Sequence, residues 1–234
     1  MSTVHHALIT GAGRGIGREI ARELGRRGYR LHLTSRSADE LTRVAQETPS
    51  GPHGTYPVDL SDPDAVTEFV ESLTTDRIDL LVLNAGTAVS ASIETTTPAD
   101  WDRVFAINVR SPFLLTQALL PRLRAATGRI IVIGSVVSTA AYPNQGAYTA
   151  SKHALYGFTK VLAKELHPEG IRVQTILPGG VATDMVRRMR PDIDTSDLIQ
   201  PVDVARAVGS LLDAEGNAMV DEIRLRRHGK SPWA

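Results

Sequence analysis

The sequence predicts an α/β fold, a three-layer sandwich in which seven parallel strands are covered by helices on both faces. Three observations predict it. Short apolar runs alternate with stretches of helical periodicity along the chain. The first run ends in a glycine cluster, Gly11 to Gly17, that opens directly into a helix. The 234 residues are enough for a substantial core and show no linker-like stretch, so one domain over residues 1–234 is expected.

Residues 4–10 read as the first strand, and Ile16, Ile20, Ala21 and Leu24 then recur at helical spacing. Residues 29–35 form the second strand through Leu31 and Leu33. Ser37 is placed to cap the following helix, which has Asp39 and Glu40 in its first turn and buries Leu41, Val44 and Ala45. The third strand covers residues 54–60, and Pro63 suits the first turn of a helix buried through Val66, Phe69, Val70 and Leu73. The fourth strand, residues 79–83, ends in Asn84-Ala85-Gly86. Thr97-Pro98 opens a longer helix bearing Trp101, Val104, Phe105 and Asn108, which Pro112 is expected to kink or divide. Strand five is residues 129–135, a helix spans about 148–166, and strand six, 172–177, closes on Pro178-Gly179-Gly180. Residues 183–199 are polar and rich in arginine, a partly helical, mobile insertion. A helix at 201–212 and a strand at 219–225 complete the alternation.

Composition narrows the function. The 26 Lys and Arg balance the 26 Asp and Glu, so no global field points to nucleic acid or an anionic membrane. With no cysteine, disulfides, thiol catalysis and thiolate metal sites are excluded, and no metal is expected in the site. No apolar run approaches membrane-spanning length and the first residues show no signal-type region, so a cytoplasmic location is the expectation.

The chemistry concentrates between Ser135 and Lys152. Tyr148 and Lys152 stand at i and i+4, so a helix puts phenol and ammonium on one face. A tyrosine titrates near pH ~10, and a fixed cation that lowered it by about 3 units would supply roughly 4 kcal/mol of differential interaction. Ser135 closes a strand, which puts its hydroxyl at the carboxyl edge where open α/β sheets bind ligands. A Tyr-x-x-x-Lys pair also arises by chance on helix surfaces, so its weight comes from the remaining motifs.

The segment TGAGRGIG at residues 10–17, LNAG at 83–86 and YTASK at 148–152, in that order, resembles the classical short-chain dehydrogenase/reductase family over essentially the whole chain. The resemblance implies a Rossmann-type fold, a nicotinamide cofactor and a homotetramer or homodimer. It assigns Asn108, Ser135, Tyr148 and Lys152 to catalysis, with Asn108 holding a water that relays protons to Lys152. It further implies cofactor contacts at Gly11, Gly15, Ile16 and Gly17, at Asp59 and Leu60 beside the adenine, at Asn84, Ala85 and Gly86, and at Pro178, Gly179, Val181 and Thr183 around the carboxamide.

At the end of the second strand, where a carboxylate would accept the ribose 2′-hydroxyl of NAD, stand Ser35 and Arg36, and Arg14 lies in the glycine loop. A serine and two guanidinium groups suit a 2′-phosphate, so NADP(H) is favoured over NAD(H). Substrate contacts are expected from Val136, Ser138 and Tyr142 and from Met185 and Met189 in the insertion. The expected reaction interconverts a carbonyl and an alcohol of a small molecule. A 3-oxoacyl-thioester reductase of the acyl-carrier-protein type is the alternative, although Glu169 stands where such reductases often carry basic residues. A non-catalytic NADP-sensing protein is disfavoured because Tyr148 and Lys152 are both present. The tail containing Trp233 is expected to pack on a neighbouring subunit.

Overall fold

β1 (His6–Thr10) is the strand from which the sheet grows in both directions, pairing in parallel with β2 (Arg30–Ser35) on one side and β4 (Leu80–Leu83) on the other. The computed structural model describes residues 4–190, 192–214 and 218–231. The predicted packing of Trp233 lies outside them. Among the described residues one seven-stranded sheet forms, in the order β3-β2-β1-β4-β5-β6-β7, with β3 (Gly54–Pro57), β5 (Arg129–Ile133), β6 (Arg172–Pro178) and β7 (Glu222–Leu225) all parallel to their neighbours. Strand order reverses beside β1, which opens a crevice at the carboxyl ends of β1 and β4.

The period of two along each strand sorts side chains into two cores. Ala7, Ile9, Leu80, Val82, Ile131 and Ile133 face one layer, where α1 (Gly15–Arg26), α2 (Ala38–Glu47) and α8 (Pro201–Asp213) bury Ile20, Leu41 and Val208. Leu8, Leu81, Leu83, Ile130 and Val132 face the other, covered by α3 (Pro63–Ser72), α5 (Ser111–Ala126) and α6 (Gly146–Leu166) through Phe69, Leu119 and Leu155. As expected, Ser37 accepts the Glu40 N–H to cap α2, and Pro63 starts α3 behind its Asp62 cap.

β5 stops at Ile133, so Ser135 caps the following turn instead of closing the strand, and three other predicted elements also end differently. β3 stops at Pro57 because Asp59 accepts the Ser61 N–H and hydroxyl at 2.9 and 2.8 Å, turning residues 59–60 off the ladder. β7 begins only at Glu222; Met219 and Val220 are exposed, and the Val220 carbonyl takes the Gln174 side-chain amide instead. The long helix divides before Pro112: α4 (Pro98–Phe105) runs into a π-helical turn, Ala106–Arg110, and then α5. There the Ser111 N–H reaches back to the Ala106 carbonyl, Pro112 has no N–H to offer, and the Ser111 hydroxyl covers the Ile107 carbonyl at 3.1 Å. Residues 183–199 carry α7 (Asp184–Met189) and a short 3-10 turn, Thr195–Asp197. No helix among the described residues is long and apolar enough to cross a membrane.

In the middle of β2, His32 is 4% exposed, held by His6 at 3.0 Å and by the Tyr56 hydroxyl at 3.2 Å. Burial lowers its pKa from 6.5 to about 4, helped by His6 and Arg30. The unfolded chain therefore takes up a proton that the folded chain refuses, and the His32 contribution is full above pH 6.5 and lost as pH falls toward about 4. Chemical denaturation across that window is expected to show a loss of about 3 kcal/mol. A His32→Leu variant should show a flatter pH dependence.

Candidate active site

The chain leaves β1 at Thr10 and must enter α1 within a few residues. Gly11 and Gly15 achieve this with φ of 66° and 55°, in the left-handed region that favours glycine. A Cβ on Gly17 would stand 2.2 Å from the Gly11 carbonyl oxygen, so only glycine lets the helix close on its own loop. Side chains then tie the loop to the end of β4. The Thr10 hydroxyl oxygen accepts the Asn84 and Ala85 N–H groups at 2.9 Å each, and Asn84 Nδ2 donates to the Thr10 and Gly11 carbonyls at 2.8 and 3.2 Å. No side chain caps α1, so its first N–H groups face the loop as a ready anion site.

A cavity of about 650 Å³ follows this loop. Ser35, Arg36, Asp59 and Leu60 border one end; Gly11, Arg14, Gly15 and Ile16 face Asn84, Ala85 and Gly86 along it; Thr183, Met185 and Met189 stand opposite the loop. Size, glycine backbone and helix terminus fit an extended dinucleotide with its pyrophosphate on α1. Arg36 is exposed and close enough to Asp59 to help the Ser61 hydrogen bonds hold that carboxyl below its usual range. Arg14 is shared, with Nη1 at 4.0 Å from Glu40 and 3.7 Å from Asp184.

Beyond Gly86 lie the residues that the family resemblance assigns to catalysis. A Cβ on Gly86 would be 3.4 Å from Asn108 Oδ1 and 3.9 Å from Lys152 Nζ, so Gly86 joins the cavity to them. Ser135 sits two residues past β5 and caps a 3-10 turn, Val136–Ser138, its hydroxyl accepting the Val137 N–H at 3.3 Å and lying close enough to Tyr148 to act on the phenol's pKa. Lys152, 4% exposed, donates to the Ile133 carbonyl at 3.0 Å and lies 5.9 Å from the Tyr148 ring centroid. Asn108 is fully buried in the π turn. Its Oδ1 accepts the Thr87 N–H at 2.8 Å, and its Nδ2 donates to the Thr87 carbonyl at 2.9 Å and to Ser151 Oγ at 3.0 Å. Ser151 in turn donates to the Tyr148 carbonyl at 2.7 Å. Asn108 thus braces the loop after β4 against the helix that carries Tyr148.

The electrostatics correct one expectation. Burial raises the Tyr148 pKa, with the Ser135 hydrogen bond opposing it, and burial lowers Lys152 to about 8. The net shift of the phenol is upward instead of downward, because desolvation outweighs the lowering influence around it. Other residues expected to touch cofactor or substrate belong to the frame of the sheet and its loops. Val181 is 4% exposed and packs in the core beside Ile199, while Pro178 and Gly179 extend β6 along β7, the Gly179 N–H bonding the Leu225 carbonyl; none of the three borders the cavity. Ser138 is 2% exposed and its hydroxyl accepts the Ser135 N–H, so it supports the serine instead of facing a substrate. Val136 and Tyr142 are open to solvent in part but stand off this cavity, unlike Met185 and Met189.

Sequence reasoning passed over Gly13, Glu40, Thr87 and Asp184, all of which line the cavity, as does Arg188 of the arginine-rich insertion. Gly13 had a signal, the alternate-residue spacing Gly11, Gly13, Gly15, Gly17. Glu40 had none, since its approach depends on how α2 folds over the loop.

The model of the short chain dehydrogenase family matches residues 5–194. The 3-oxoacyl-[acyl-carrier-protein] reductase of Salmonella typhimurium is 32% identical over 92% of this chain and 93% of its own, and the D-beta-hydroxybutyrate dehydrogenase of Rhizobium meliloti is 36% identical over 80% and 75%. A metagenomic short-chain oxidoreductase solved in complex with NADP superposes with a TM-score of 0.83, at 34% identity over 97% of this chain and 98% of that one. A Rossmann-type sheet with a glycine-turn cavity defines a nucleotide-binding α/β protein. With a serine, tyrosine and lysine converging beyond it, the chain belongs to the short-chain dehydrogenase/reductase family.

Gly17→Ala should lower stability by about 1–3 kcal/mol through overpacking against the Gly11 carbonyl, read as a shift in the urea midpoint at unchanged slope.

Proposed function

We propose that this protein is an NADPH-dependent reductase that converts the ketone of a 3-oxoacyl thioester to a hydroxyl. The observation that carries the reading is the convergence of Ser135, Tyr148 and, one turn on, Lys152, joined through Gly86 to a dinucleotide-sized cavity. The cofactor is NADP(H), supported by Ser35 and Arg36 at the ribose corner and by the NADP held in the metagenomic relative. When bound, it supplies the hydride.

In the reducing direction Ser135 orients and polarises the substrate oxygen, and Tyr148 gives it a proton. The raised pKa of Tyr148 keeps the phenol protonated at neutral pH, which suits an acid. Lys152, positively charged below about pH 8, stabilises the phenolate left behind. Asn108 acts by positioning. Both ends of its amide are engaged, so a relay water, if it uses Asn108, bonds the main-chain carbonyl or a remaining Oδ1 lone pair.

The thioester reading rests on the Salmonella relative, an oxoacyl reductase, and on the Rhizobium relative, whose substrate is a 3-hydroxy acid. Both place the reacting oxygen β to a carboxyl-level carbon. A general aldehyde or ketone reductase is the second reading. It is favoured by Glu169, which pairs with Arg124 at 2.6 and 2.9 Å and leaves an ion pair where acyl-carrier-protein reductases often carry free basic charge. The homotetramer or homodimer implied by the resemblance has an apolar face on offer, with Trp101 and Phe113 exposed on α4 and α5.

Consumption of NADPH with 3-oxoacyl thioesters, set against simple ketones and aldehydes, tests the substrate; a kcat/KM for the thioesters no higher than for simple ketones would reject it. Tyr148→Phe should lower kcat by 10²-fold or more with NADPH affinity retained. Turnover near wild type in that variant would reject the mechanism.

A further inference from the structure

We propose that Glu40 is a determinant of cofactor choice that opposes the arginines and narrows the preference for the 2′-phosphorylated form. The inference rests on the cofactor reading above and adds a residue that pulls against it.

Glu40 lies in the first turn of α2, where an acid complements the helix dipole, and that is a sufficient reason for Asp39, which is exposed and does not line the cavity. Glu40 turns inward. Its Oε2 is 2.7 Å, and the Ser35 hydroxyl oxygen 2.9 Å, from the point where a Gly13 Cβ would stand. The carboxylate therefore rests on the glycine loop next to Ser35, at the corner where the strand-end residue meets the ribose 2′ position in this fold. Gly13 has no side chain to hold it off, and any larger residue there would have to displace it.

A carboxylate at this corner does two things. It is an acceptor-only group, suited to the 2′-hydroxyl of NAD(H), and it repels the 2′-phosphate of NADP(H). It also occupies Arg14, whose Nη1 is 4.0 Å from Glu40 Oε1, so a 2′-phosphate must compete with Glu40 and Asp184 for that guanidinium. Arg36 is exposed, with Asp59 as its neighbouring carboxylate, and is the second arginine at this corner able to favour the phosphate. The serine and arginines at the strand end and loop thus read as selective for NADP(H), whereas the folded corner contains a balanced pair of opposing charges.

The test is equilibrium binding of NADPH, NADH, 2′,5′-ADP and 5′-ADP by titration calorimetry, with no substrate or turnover involved. Glu40→Gln is expected to bind NADPH and 2′,5′-ADP about tenfold more tightly, about 1.4 kcal/mol, and to bind NADH more weakly. Glu40→Ala should shift the NADPH-to-NADH ratio in the same direction. A ratio within twofold of wild type in both variants, or opposite shifts in the two, overturns the proposal. Arg36→Asp tests the parent reading separately and is expected to weaken NADPH at least tenfold. An unchanged ratio in Arg36→Asp alone sinks the NADP assignment and leaves Glu40 standing; an unchanged ratio in the Glu40 variants alone does the reverse.

Discussion

The site depends on how closely the glycine loop approaches the end of β4. Thr10 and Asn84 make that approach with hydrogen bonds of 2.8 to 3.2 Å, and Gly17 permits it by offering no Cβ to the Gly11 carbonyl. Buried main-chain groups at a strand end must find partners, and here each loop supplies them for the other. The consequence is a crevice whose two walls hold each other in place. One is the amino end of α1, and the other is the Asn84-Ala85-Gly86 turn leading to Asn108 and Lys152.

The same economy of partners places the tyrosine. Pro112 removes an N–H from the helix, the chain answers with a π turn, and the turn buries Asn108 where it can bridge Thr87 and Ser151. Ser151 passes the constraint to the Tyr148 carbonyl. A break in helical hydrogen bonding on one element is thereby converted into a fixed position for a phenol on another. Lys152 is anchored from below by the Ile133 carbonyl, so its charge is held in a largely dry environment that lowers its pKa to about 8. The pairing of phenol and ammonium is therefore a balance among burial, the Ser135 hydrogen bond and charge, and the sequence spacing alone describes only the last.

The polar groups of the sheet differ in purpose. At the carboxyl edge of the sheet, polar groups converge on a cavity; His6, His32 and Tyr56 form a hydrogen-bonded row across β1, β2 and β3 whose members do not line it. The insertion is intermediate in character. α7 contributes Met185 and Met189 to the cavity and Asp184 to the Arg14 pair, so a segment that reads as polar and arginine-rich supplies both apolar lining and a charge contact with the glycine loop.

By itself the sequence determined the alternation of strands and helices, the parallel sheet, the glycine turn and the serine, tyrosine and lysine positions. Each is written in local periodicity, or in spacings that a strand end or one helical turn converts directly into proximity. It did not determine where β3 and β7 end, because edge strands stop when a neighbouring turn or side chain takes their hydrogen bonds, as Asp59 and Gln174 do. Nor did it place Val181, Pro178 and Ser138 away from the cavity, or Glu40 within it. Those outcomes depend on which face of a loop or helix turns inward once distant elements pack. Tertiary structure decided them because burial and partner choice for a side chain are properties of the neighbours it meets and not of its own segment.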